Sequence, residues 1–166
     1  MAQNEKIRPE DDGVELATFY VGDALCGMDI LRVQEINKQL EITTVPRAPG
    51  FVKGIMNLRG QIVTIIDLGK KLGLGETVMD GKTRNIIVNS GGEYIGLLVS
   101  SISDVMEARW TDVDPPPANI GEIQGAFFTG VLKTQDQLVG ILNLERVMSN
   151  EAPSGHQGKD ARYADV

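Results

Sequence analysis

A chain of 166 residues with 42% hydrophobic content is the size of one domain and has enough apolar surface to build a core. Its net charge of −7, of which residues 1–15 carry −3 and residues 150–166 carry −1, leaves no basic footprint and excludes a nucleic-acid binder. A single cysteine excludes an internal disulfide, and no apolar run approaches the ~20 residues of a membrane helix. The segment MAQNEKIRPEDD has no apolar signal-peptide core, so the expected location is cytoplasmic, without direct membrane insertion.

In chain order, residues 1–13 are polar and acidic and are expected to be a disordered tail. Alternating residues 16–21 predict a strand, Gly22-Asp23 a hairpin turn, and residues 25–28 the returning strand. A second hairpin is predicted from residues 85–89, through Ser90-Gly91-Gly92, to 94–99. Residues 150–166 are rich in Ser, Gly and Ala with no apolar period, and read as a flexible tail.

The second half echoes the first. Residues 54–73, GIMNLRGQIVTIIDLGKKLG, align without a gap on 130–149, GVLKTQDQLVGILNLERVMS, pairing Gly54 with Gly130, Val63 with Val139 and Ile65 with Ile141. Each copy predicts a strand, a polar turn and a second strand that ends in a helix N-cap, Asp67 or Asn143, before a short helix at 68–72 or 144–148. A weaker echo at an offset of 69 relates Gly27-Met28-Asp29-Ile30 to Gly96-Leu97-Leu98-Val99, and Val33-Gln34-Glu35-Ile36 to Ile102-Ser103-Asp104-Val105. The pattern predicts a mainly β protein of two similar lobes that stabilise each other by packing, with a binding cleft between them.

Catalytic chemistry is not visible. His156 falls in the tail, which leaves a His-based triad or metal site unsupported. Cys26 has no local activator and reads as a buried packing thiol. Gly81-Lys82-Thr83 resembles the end of a phosphate loop, but five residues separate Gly75 from Gly81 where four are needed, and a strand follows instead of a helix. Asp112-Val113-Asp114 before three prolines reads as a solvated loop. Neither a cofactor nor a metal is expected.

Two residues stand out for binding. Gly60 can supply positive φ to a hairpin turn, placing Arg59 at an exposed tip, where it is either a solvated charge or a planar fork for a carboxylate. Glu35, among Val33, Ile36 and Ile42, is open to three readings: the exposed face of a strand, a partner of Arg59 inside the fold, or a charged point on an apolar docking surface.

Residues 26–36, CGMDILRVQEI, resemble the first signature of the CheW family, and residues 46–60, PRAPGFVKGIMNLRG, look like the second. Residues 63–68 resemble the segment that follows, and the similarity continues through Gly96, Asp104-Val105 and 130–148, covering 14–149. Cys26, Thr64 and Asn143 depart from the usual aromatic, proline and aspartate. The resemblance implies two five-stranded SH3-like β-barrel lobes with short helices, strand exchange between lobes being one open arrangement. It also implies a non-enzymatic scaffold joining the cytoplasmic tips of methyl-accepting chemoreceptors to the regulatory domain of the histidine kinase CheA, recruited to membrane-associated receptor arrays. Residues at the family's interaction positions are Glu35, Arg59, Val105 and Ile102, assigned to receptor contact, and Val33, Gly54 and Gly96, assigned to the kinase. The alternatives are a purine-type small-molecule binder using the cleft, and an adaptor for a chemosensory kinase outside chemotaxis.

Overall fold

The computed structural model describes residues 12–38 and 41–149. Of the expected tails, residues 1–11 and 150–166 lie outside that set, while Gly13 already opens the first strand. The chain runs through β1 (Gly13–Val21), β2 (Ala24–Asp29), a 3-10 turn, β3 (Val33–Asn37), β4 (Val52–Leu58), β5 (Gln61–Asp67) and α1 (Leu68–Lys71). It continues through β6 (Arg84–Ser90), β7 (Glu93–Val99), β8 (Ser101–Arg109), β9 (Val113–Asp114), β10 (Asn119–Ile120), β11 (Ile123–Gln124), β12 (Phe128–Lys133), β13 (Leu138–Leu142) and α2 (Leu144–Met148). The predicted hairpins form at their turns, with Val21 opposite Ala24 and Ser90 opposite Glu93.

The strands form two main sheets, β3-β6-β7-β5-β4 and β8-β1-β2-β13-β12-β9, beside the small β10–β11 ribbon. The protein is mainly β as expected, but neither sheet closes into a barrel. The chain crosses between sheets twice, from β2 to β3 and from β7 to β8, so the five-stranded lobe is the continuous segment 33–99, inserted between β2 and β8 of the six-stranded lobe. In the six-stranded sheet the extra strand is the two-residue β9; its counterpart in the other lobe is the single bridge Thr43–Ile55.

Register makes the duplication concrete. Ile65 lies opposite Gly96 across the parallel pair β5–β7, and Ile141 lies opposite Gly27 across β13–β2. The weaker echo holds to the residue: β6 sets Val88 against Val33 and Ile86 against Ile36, while β1 sets Phe19 against Ile102 and Ala17 against Val105. Even the irregularity repeats, since a β-bulge interrupts each of these pairings at the same place. Both predicted caps form, with Asp67 accepting from the Lys70 amide at 3.2 Å and Asn143 from Arg146 at 3.1 Å.

The core explains why strands such as β6 are apolar at consecutive positions. Ile87 packs into a cluster private to the five-stranded lobe with Met56, Val63, Ile65 and Leu98. Its neighbours Ile86 and Val88 face the other way, into a larger cluster shared with Phe19, Val21, Met28, Phe128 and Leu142 of the other lobe. The six-stranded lobe keeps a private cluster of Val14, Leu16, Leu132, Val139 and Ile141. Strands buried on both faces lose the alternation that a half-exposed strand shows.

Two expectations are corrected. The cleft predicted between the lobes is filled by the shared core; what remains is a 570 Å³ hollow at one end, where Leu74 approaches the turns at Gly22-Asp23 and Gly121-Glu122. Of the predicted loop at 112–114, Val113 and Asp114 instead form β9 on β12. The phosphate-loop resemblance ends in a turn: Asp80 caps the Lys82 amide, the Thr83 hydroxyl donates to the Val78 carbonyl, and β6 begins at Arg84.

Candidate functional site

Leu58 pairs with Gln61 across the β4–β5 turn, leaving Arg59-Gly60 as a two-residue connection. Both have positive φ, 51° and 86°, the combination of a type I′ hairpin, whose twist matches the flanking strands. The Asn57 side chain accepts from the Gly60 amide at 2.8 Å and braces the turn. Arg59 is thereby held at an exposed tip, as its sequence context predicted, and it also takes a backbone conformation that glycine and asparagine tolerate better.

From that tip the Arg59 guanidinium donates to Glu35 on β3. β3 and β4 are the two edges of the five-stranded sheet, so this ion pair spans the side on which the sheet stays open. Glu35 does meet Arg59, at the surface instead of inside the fold: the Arg59 side chain is 71% exposed and Glu35 is 28% exposed. Asn37, on the same face two residues along, donates to the other Glu35 oxygen at 3.2 Å. The Arg59 hydrogen bond, then that of Asn37, holds the Glu35 carboxyl below its ordinary range, and Glu35 in turn raises Arg59. Leu58, Ile87, Tyr94, Gln34 and Gln61 join the pair around a 300 Å³ hollow. Asn37 and Tyr94 were not anticipated, although the two-residue spacing from Glu35 to Asn37 places them on one strand face.

Ile102 and Val105 lie elsewhere, on β8, an edge of the other sheet, and are 37% and 54% exposed. They are the repeat counterparts of Val33 and Ile36. Val33 is partly buried against the shared core, whereas Ile36 is 44% exposed. Each lobe thus presents an edge strand with an aliphatic residue in solvent and an acid beside it.

Gly54 and Gly96 are buried. Gly54 has φ 155°, and a Cβ there would come within 2.2 Å of the Thr43 carbonyl oxygen, so its smallness permits the Thr43–Ile55 bridge. A Cβ on Gly96 would meet Ile65 Cδ1 at 2.5 Å, inside the private core. Val33, Gly54 and Gly96 all belong to the five-stranded lobe, and the two glycines offer a partner no side chain. Cys26 is fully buried, and burial pushes its thiol up to about 12, keeping it protonated and unreactive at neutral pH. Among the described residues no group of three or more His, Cys, Asp or Glu could hold a metal, and no helix is long and apolar enough to cross a membrane.

Two cross-braced β-lobes with charged and aliphatic edges form a module suited to docking other proteins. The chain belongs to the CheW-like domain family, which it matches over residues 15–152. It is 32% identical over 151 residues to the chemotaxis protein CheW of Klebsiella aerogenes, covering 91% of each chain. It is also 30% identical to the chemotaxis protein CheW of Treponema pallidum, covering 85% of each. The solved scaffolding protein TtCheW from Thermoanaerobacter tengcongensis superposes with a TM-score of 0.76 at 34% identity, covering 82% of this chain and 88% of that one. The family is one of non-catalytic chemotaxis adaptors.

Proposed function

We propose that this protein couples chemoreceptors to the histidine kinase CheA as a non-enzymatic adaptor recruited from the cytoplasm to receptor arrays. Glu35, Arg59, Ile102 and Val105 are the receptor-facing residues; Val33, Gly54 and Gly96 shape the kinase-facing lobe. The observation that carries this reading is the placement of exposed Val105 and the solvent-facing Glu35–Arg59 pair on the open edges of two lobes whose relatives are chemotaxis proteins. Coupling requires only that the adaptor's contacts differ in energy between two kinase states. Two faces on one rigid body also let modest interfaces act together through effective concentration.

Reconstitution tests it. Receptor membranes and CheA, with this protein added, should give kinase activity that falls on attractant binding. Replacement of Val105 by Asp should abolish the response while leaving the circular dichroism spectrum unchanged. Kinase activity indifferent to the wild-type protein sinks the proposal.

A further inference from the structure

The two lobes carry an acid in the same bulge, Glu35 and Asp104, but among the described residues only Glu35 has a cation to meet it. On β3 the bulge sets Gln34 and Glu35 against Ile87; on β8 it sets Ser103 and Asp104 against Thr18. Bulges re-aim side chains and are built features. The one on β8 is pinned by the buried Thr18 hydroxyl, which donates to the Asp104 carbonyl. In the first lobe Arg59 reaches Glu35 from the hairpin tip. The matching tip in the second lobe, closed by the Thr134 amide donating to the Gln137 carbonyl at 2.9 Å, holds Gln135 and Asp136, neither with positive φ. The cation is missing and an acid stands beside its place. Asp104 makes no ion pair with any described residue.

The surroundings are those of a docking edge. β8 is nine residues long and pairs on one side only, with β1. Val105 and Ile102 flank Asp104 in solvent, and further along the strand Glu107 lies directly opposite Glu15, a like-charge pair that costs the sheet stability. A segment laid along this edge meets aliphatic surface and net negative charge.

We infer that Asp104 is a docking position for a lysine or arginine of the chemoreceptor, which supplies in trans the cation that Arg59 supplies in cis to the other lobe. This rests on the receptor-coupling function proposed above and adds the chemistry of the partner: a basic residue beside an aliphatic one on the receptor's helical tip. Asp104 and Val105 point to opposite faces of β8, so the receptor must straddle the strand edge to touch both.

The test is co-sedimentation with receptor-containing membranes at several salt concentrations, with CheA pull-down as a control. Asp104→Asn should weaken receptor binding about fivefold and flatten its salt dependence, with kinase binding unchanged. A second variant fills the vacancy from within: Gln135→Arg with Asp136→Gly installs the Arg-Gly turn of the first lobe, should satisfy Asp104 internally, and should weaken receptor binding without lowering thermal stability. If Val105→Asp abolishes sedimentation while both of these variants bind as wild type with an unchanged salt slope, this inference falls and the receptor-coupling proposal stands. If wild type itself fails to sediment with receptor membranes, both fall.

Discussion

Arg59 occupies the left-handed region at φ 51°, which costs a side-chain-bearing residue about 1 kcal/mol relative to glycine. The turn would be better served by Asn-Gly. This allows a cleaner test than truncation: Arg59→Asn should fold with equal or greater thermal stability yet lose the ion pair and weaken receptor coupling. A lowered melting temperature would mean that the pair contributes to the fold itself. The pair also fixes a pH dependence. Glu35 is held below the ordinary carboxylate range, so whatever stability it contributes is fully present above that range and is lost as pH falls through the lower folded value. Removing Arg59 should raise the Glu35 titration measured by NMR, leaving only the smaller depression due to Asn37; an unmoved titration would show that Arg59 does not hold the carboxylate in solution. Arg59 at a tip was legible because Gly60 follows it. The contact with Glu35 was one of three open readings, because a sequence separation of 24 says nothing about which sheet edges approach each other.

Among elements, the hairpin, cap and short helix units were the most legible, since each is built from local rules that recur at one offset. Their supports were not. Asp67 does more than cap α1: it is buried and also accepts from the Thr77 amide at 3.1 Å and the Thr77 hydroxyl at 2.6 Å, tying down the loop that leads to β6. Gly69 leaves that loop room, since a Cβ there would stand 2.5 Å from the Gly75 carbonyl oxygen. Asn143, its repeat counterpart, shows the cap bond alone. Loss of a cap costs about 1 kcal/mol, and stranding a buried hydrogen-bonding partner adds about 1–3 kcal/mol. Asp67→Ala should therefore destabilise the protein by about 2–4 kcal/mol in urea unfolding, against about 1 kcal/mol for Asn143→Ala. Equal losses would mean that the Thr77 contacts contribute nothing net. The sequence offered no signal for them, because Thr77 belongs to a segment outside both repeats.

For the molecule as a whole, the crossings from β2 to β3 and from β7 to β8 determine how stability is shared. The sequence showed two copies but not that the five-stranded lobe is inserted between β2 and β8 of the other, because a crossing and a turn look alike when only local pattern is read. In the folded chain the shared cluster holds Phe19 and Met28 from one sheet against Ile86, Val88 and Leu97 from the other, all essentially without solvent exposure. Unfolding either lobe would expose the facing half of that cluster at about 25 cal/mol per Å². The protein should therefore unfold as one cooperative unit. Trp110 reports on the six-stranded lobe, between β8 and β9, whereas Ile65 lies in the private core of the other. Ile65→Ala should cost about 2–5 kcal/mol, and urea unfolding followed by Trp110 fluorescence should shift by the same amount as unfolding followed by circular dichroism. A tryptophan transition left in place while the circular dichroism transition moves would mean that the lobes unfold independently. The fixed relation between the proposed receptor-facing and kinase-facing residues, which the proposed coupling requires, would then be lost.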